Sequence, residues 1–323
     1  MTAVPVLAVD NLSVEFRTRG GIVRALEQIS FEIAKGEMVA IVGESGSGKS
    51  VTAYTVMGIL DPAGRVGSGT AAFGGLDLLT AGESALREIR GREMSMIFQN
   101  PRVALNPIRR VGDQIADVLL QHGGVTRAEA PKRAVEMLAR VRIPDPDRRA
   151  KAYPFELSGG MCQRIMIAIA LSCAPKLLIA DEPTTGLDVT TQAAIMDLIA
   201  ELGEEQGMST LLITHDLGMA ADYCDRIVVM HAGHIVETAT TVELFDHPRH
   251  PYTAKLIAAT PRPTTSLAGL ASIPGNLPDL RGRDIPPCRY EARCERRQAR
   301  CSQALPRIPG DERGSMVACW NPL

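Results

Sequence analysis

The sequence predicts an α/β domain built on a buried parallel sheet, interrupted by a helical insert and followed by a small cysteine-containing appendage. Three observations carry that reading. Short, near-continuous apolar runs (VAIV at 39–42, MSMIF at 94–98, LLIA at 177–180 and TLLIT at 210–214) fit strands covered on both faces. The segment GESGSGKS, Gly43 to Ser50, follows the first of these runs in the pattern of a phosphate-binding loop. Beyond about residue 245 prolines become frequent, and four of the seven cysteines fall between 288 and 319.

Composition narrows the class. A chain of 323 residues suggests two domains, or one domain with a substantial appendage. It is 45% hydrophobic and 4% aromatic with a formal net charge of −2, an ordinary globular balance that argues against a nucleic-acid binder along its whole length. The opening MTAVPVLAVDNL lacks a basic region and a long apolar core, so no signal peptide is expected. The most apolar stretch, IMIAIALSCAPKLLIA, is broken by Pro175 and Lys176 and falls short of the about 20 residues a bilayer needs. A cytosolic chain without disulfides is the expectation.

Taken in order, each strand delivers polar groups at its end. After VAIV, the glycines let backbone N–H groups curl inward onto phosphate oxygens, and the following helix adds its positive N-terminus. Lys49 suits the β- and γ-phosphates and Ser50 suits Mg²⁺. Gln99 follows MSMIF. Between 111 and 160, IADVLL and KRAVEMLARV have helical spacing, and Pro144 and Pro146 mark a turn after the second. In LSGGMCQR, Ser158, Gly159 and Gly160 open an apolar helix and offer a second anion site, which two chains packed head to tail could share across one nucleotide.

KLLIADEP then ends a strand in two adjacent carboxylates, which point to opposite faces and cannot do the same work. Asp181 suits the Mg²⁺ shell and Glu182 suits polarising the attacking water. His215 follows TLLIT. Ligands of open parallel sheets bind beyond the carboxyl ends of the strands, so these groups are expected at one edge. DRIVVMHAGHIVET, 225–238, reads as a hairpin turning at Ala232 and Gly233.

In this order the motifs closely resemble the ATP-binding subunits of ABC transporters, whose fold the resemblance implies: a P-loop NTPase with a RecA-like core, an antiparallel β subdomain and a helical insert at about 100–160. The resemblance covers the P-loop (Gly43, Glu44, Ser45, Gly46, Ser47, Gly48, Lys49, Ser50), the Q-loop Gln99, the signature from Ser158, the Walker B strand to Glu182, the D-loop TTGLD with Asp188, and the switch histidine, His215. It implies nucleotide contacts for these residues and for Thr52, with Mg²⁺ held by Ser50, Gln99 and Asp181. Phe16 matches the aromatic that stacks on adenine in the family, although an aromatic there also fits a core position.

FQNPRVALNP, LSGGMCQRIMIAIAL, ADEPTTGLDVTTQ and HPYTAKL are similar to the oligopeptide/dipeptide importer group, which also handles nickel, and more to its D-type than its F-type subunit. Cys162 and Phe155 depart from the group's usual arginine and histidine. The resemblance implies an ATPase at the cytoplasmic face of the membrane, an F-type paralogue as heterodimer partner, two membrane permease subunits, indirect service of an extracytoplasmic solute-binding protein and no nucleic acid. ATP-driven closure of two such domains would energise peptide translocation. The alternative is a soluble ABC ATPase acting on nucleic acid or ribosomes. Residues 1–260 are expected to form the nucleotide-binding domain and 261–323 the appendage.

The tail cysteines read C-x5-C-x6-C-x17-C, at Cys288, Cys294, Cys301 and Cys319, with seven arginines between 281 and 300. The gaps are looser than zinc knuckles and tolerable for a [4Fe–4S] cube, whose negative charge the arginines would offset while lowering the thiol pKa values. Zinc, or cysteines that bind nothing, remain open on the residues alone. Resemblance to importer ATPases with similar cysteine spacing implies the iron–sulfur cluster.

Overall fold

The computed structural model describes residues 4–260, 272–282, 285–310 and 314–323. The expected start of the appendage at 261, and Arg283 and Asp284 of the arginine-rich stretch, lie outside the described residues. The chain forms two compact units, one from residues 1–80 and 212–323 and the other from 81–211.

The first unit begins with strands β1 (Leu7–Thr18), β2 (Gly21–Ile33) and β3 (Met38–Val42), helix α1 (Lys49–Val56), and strands β4 (Gly64–Phe73) and β5 (Leu76–Asp77). The second holds α2 (Glu83–Ile89), β6 (Met94–Ile97), α3 (Pro101–Ala104), α4 (Val111–His122), α5 (Ala130–Arg140), α6 (Pro146–Arg149), α7 (Gly159–Leu171), β7 (Leu177–Asp181) and α8 (Val189–Gln206). Strand β8 (Ser209–Thr214) crosses the boundary in sequence. The first unit then resumes with α9 (Leu217–Tyr223), β9 (Arg226–His231), β10 (His234–Thr240), α10 (Thr241–Asp246), α11 (Pro251–Ala259), β11 (Ile308–Pro309) and β12 (Met316–Val317).

In the first unit an antiparallel sheet runs β2-β1-β4-β5. Leu7, Val9, Leu12 and Val14 of β1 are buried although they break strict alternation. A register shift between Val9 and Leu12, with Asn11 at φ +50°, is the bulge that returns the apolar side chains to one face. Strand β3 pairs in parallel with β9, Val39 opposite Arg226 and Val42 opposite Val229. Val39 to Val42 are wholly buried, as their unbroken apolar run requires. Strands β9 and β10 form the expected hairpin, and Ala232 and Gly233 both take positive φ, as a type I′ turn demands. The tail contributes β11 and β12, with β12 laid antiparallel along β10. No sequence periodicity announced those two short strands.

In the second unit β6 and β7 pair in parallel, Met94 opposite Leu177 and Ile97 opposite Ala180. The expected helices form. Val111, Ile115 and Leu119 of α4 and Ala130, Ala134, Met137 and Leu138 of α5 are buried at helical spacing. Pro146 opens α6 at the predicted turn, where its missing N–H costs nothing. Helix α7 is buried on nearly every face, and Arg164 ties it to α5 by donating to the Val141 carbonyl at 3.0 Å. Cys162 is among its wholly buried residues, away from solvent, while Phe155 is exposed and stacks on Tyr153 with ring centroids 5.6 Å apart.

Candidate functional site

The first unit carries the loop from Gly43 to Ser50 between β3 and α1. Gly43 has φ +153°, and a Cβ there would lie 2.1 Å from the Met230 carbonyl oxygen. Gly48 has φ +104°, and a Cβ there would meet Leu26 Cδ2 at 2.7 Å. Only glycine fits either place, so the loop winds tightly against β9 and β2 and turns straight into α1. Lys49 is buried, and its ammonium donates to the carbonyls of Gly43 at 2.8 Å and Glu44 at 3.1 Å. Ser47 Oγ is buried without a hydrogen-bond partner. A tight glycine cradle, a helix N-terminus, a lysine across the mouth and a waiting hydroxyl together fit a chain of phosphates.

Around the cradle, Ser45 and Gly46 are exposed and Ser50 is half-buried. Thr52 is buried and donates to the Gly48 carbonyl at 3.1 Å, so it braces the first turn of α1. Phe16 is half-buried on β1, opposite Val23 and Gly64. His215 lies exposed just past β8, and the next residue, Asp216, caps α9 by accepting from the Met219 amide at 3.1 Å.

The second unit brings Gln99 and Glu182 together. Gln99 Nε2 donates to Glu182 Oε2 at 2.7 Å, and Thr185 Oγ1 donates to the same oxygen at 2.9 Å. The parallel pairing of β6 with β7 places their ends side by side. Asp181, the last residue of β7, is 1% exposed, whereas Glu182 is half-buried at φ +47°. A left-handed backbone is unusual for glutamate and marks a turn held by its surroundings. It separates the two carboxylates into a buried one and an accessible one, as their different chemistry requires.

Ser158 caps α7, accepting from the Met161 amide at 3.3 Å, with Gly159 and Gly160 in the first turn. Asp188 caps α8 and accepts from the amide and hydroxyl of Thr191 at 3.0 and 2.7 Å. The hydroxyl and amide of Thr191 hold the Asp188 carboxyl below the usual range. A Cβ at Gly160 would lie 3.2 Å from Thr191 Cγ2, so the serine–glycine turn and the Asp188 cap adjoin one another.

The tail corrects one expectation. Cys288, Cys294, Cys301 and Cys319 do line a common cavity, of about 10 Å³. Among the described residues no group of three or more His, Cys, Asp or Glu side chains is arranged to hold a metal ion. The iron–sulfur reading of these four cysteines is therefore withdrawn. The arginines do not activate the thiols either. Burial pushes the Cys288 thiol up to about 12 and raises those of Cys294 and Cys319.

The arginines have other partners. Arg281 pairs with Asp279, Arg297 with Glu291, and Arg296 with Asn321. Arg289 donates to the Ala232 carbonyl and pairs with Glu27, and Arg293 pairs with Glu44 of the phosphate loop. His234 and then Arg289 hold the Glu27 carboxyl down to about 2. Tyr290 stands edge-on to His231 and Tyr252, with centroids 5.3 Å away in each case. Burial depresses His231 and His250 to about 3, so both rings are neutral at pH 7. This cluster beneath the loop was missed in the sequence. Its only signals were HPYT and CRYEARC, whose partners lie far away along the chain.

Comparison with known proteins agrees with the geometry. Residues 26–185 match the family model described as ABC transporter, and residues 236–301 match that of the oligopeptide/dipeptide transporter C-terminal region. A putative peptide import ATP-binding protein of Brucella abortus is 47% identical over 95% of this chain and 92% of its own length. The dipeptide transport ATP-binding protein DppD of Bacillus subtilis is 46% identical, and the oligopeptide transport ATP-binding protein OppD of Salmonella typhimurium 45%, each over 98% of this chain and 94% of its own. Among solved structures, a dimeric ATP-binding cassette bound to ADP and Pi superposes with a TM-score of 0.66 at 29% identity, covering 73% of this chain and 98% of that one.

Proposed function

The chain belongs to the ATP-binding subunits of ABC transporters, and from that premise we propose that it is the ATP-hydrolysing subunit of a peptide importer. The observation that carries the reading is the near-full-length likeness to peptide-import ATP-binding proteins. The alternative of a soluble ATPase on nucleic acid or ribosomes is not favoured, since none of those relatives is named for such a role.

The substrate is ATP. The backbone of residues 43–50 and the Lys49 ammonium hold its phosphates, and Phe16 stacks on the adenine. Ser50, Gln99 and Asp181 offer the hydroxyl, amide and carboxylate oxygens that suit Mg²⁺, which when bound neutralises charge on the β- and γ-phosphates. Glu182 accepts a proton from the attacking water. The Gln99 amide, already donating to Glu182 Oε2, fixes the orientation of that carboxylate. His215 donates toward the γ-phosphate. Ser158, Gly159 and Gly160 face the nucleotide held by a second ATPase chain, and Asp188 borders that junction.

We extend the reading to an F-type paralogue as the second ATPase, working with two membrane permease subunits and, through them, a solute-binding protein outside. Residues 1–260 serve as the catalytic module and 261–323 as its appendage. No helix among the described residues is long and apolar enough to cross a membrane. The chain on this reading is held at the cytoplasmic face by the permeases. Mild-detergent purification of the tagged chain from native membranes tests the assembly. Stoichiometric recovery of two polytopic proteins and a second ATPase is expected. Recovery with RNA or ribosomal proteins instead would refute it.

A further inference from the structure

Glutamate is an awkward second residue for an anion-binding loop. Glu44 places a carboxylate beside the cradle that must accept several negative charges, and its own carbonyl touches the Lys49 ammonium at 3.1 Å. The structure answers this with the tail. Arg293 Nη1 and Nη2 donate to Glu44 Oε2 and Oε1 at 2.8 and 2.9 Å, a two-pronged pair in which the arginine side chain is 4% exposed. Arg293 is itself fixed. Its Nε donates to the Pro274 carbonyl at 2.8 Å, its Nη1 donates to His231 Nε2 at 3.2 Å, and it lies over the Tyr290 ring. The Tyr252 hydroxyl accepts the Glu44 amide proton at 3.1 Å. Four residues earlier, Arg289 holds the Ala232 carbonyl, and the amide of the next residue, Gly233, donates to the Ser47 carbonyl at 2.8 Å. One short tail segment thus grips the phosphate loop directly at Glu44 and indirectly at Ser47.

We propose that Arg293 is a positioning residue for nucleotide binding: it neutralises the Glu44 carboxylate and holds it away from the phosphates, so that the C-terminal appendage sets the affinity of the P-loop for ATP. This deepens the proposed function and rests on its phosphate-loop reading. Freed from Arg293, Glu44 becomes an unpaired charge next to a polyanion, and the repulsion in a partly buried site is large enough to cost about tenfold in affinity.

The test is titration of the full-length chain with a fluorescent ATP analogue, at two salt concentrations. Arg293→Met, which keeps the stem and drops the charge, is expected to raise Kd about tenfold, less at high salt. Adding Glu44→Gln to it should remove most of that loss, because no charge then remains to repel. A loss that Glu44→Gln does not relieve would overturn the proposal in favour of simple packing, as would an unchanged Kd in Arg293→Met. Should Arg293→Met not fold, the half-exposed partner gives an independent arm. Glu44→Asp shortens the carboxylate out of the guanidinium's reach and should weaken binding more than Glu44→Gln. The reverse order, or equal Kd values, would overturn it. If the wild-type chain itself fails to bind the analogue, the phosphate-loop reading fails, and that result is distinct from every outcome above.

Discussion

Glu182→Gln is expected to leave ATP binding intact and to lower hydrolysis by about 10²- to 10⁴-fold, the usual contribution of a positioned general base. The substitution keeps the size and the acceptor oxygen that Gln99 and Thr185 bond, so the turn at φ +47° has no cause to rearrange. What it removes is the charge that takes a proton from water. Steady-state phosphate release by the purified importer, beside nucleotide titration, separates the two effects. Wild-type turnover in the variant would exclude Glu182 as the base and return attention to Asp181, which is buried at the strand end.

Lys49→Ala is expected to weaken nucleotide binding by about ten- to a hundredfold. A hydrogen bond from a charged group is worth about 1.5–3 kcal/mol, which converts to that range. The ammonium already spans the mouth of the loop on the Gly43 and Glu44 carbonyls, so its removal also loosens the curl that faces the phosphates. Titration with a fluorescent ATP analogue reads the loss directly, and an unchanged Kd would refute the cradle. The two substitutions divide the site cleanly, since one acts on binding and the other on the chemical step.

The phosphate loop and the strand ends were legible because their information is local. GESGSGKS fixes a backbone shape through glycines at positions 43 and 48 that no other residue can occupy, and those constraints are printed in eight consecutive letters. The strand ends at Gln99 and Glu182 follow from short apolar runs, and parallel pairing does the rest. The appendage was not legible in this way. Arg293 finds Glu44 across 249 positions and Arg289 finds Glu27 across 262, and no spacing rule reports such partners. Four clustered cysteines among arginines read as a charged metal site. In the fold Arg289 and Arg293 turn toward the ATPase body, and the four thiols line a small cavity of their own. Arg293, which sits beside Cys294 in the sequence, belongs in the fold to the phosphate loop.

The central claim is that ATP turnover on this chain powers peptide uptake. The most direct measurement is uptake of a radiolabelled dipeptide and tetrapeptide by cells lacking the chain and supplied with either the wild-type or the Glu182→Gln form. Restored, energy-dependent uptake with the wild type and none with the variant is the predicted result. Uptake that is equal with both forms, or absent with both while a different solute is imported, would contradict it.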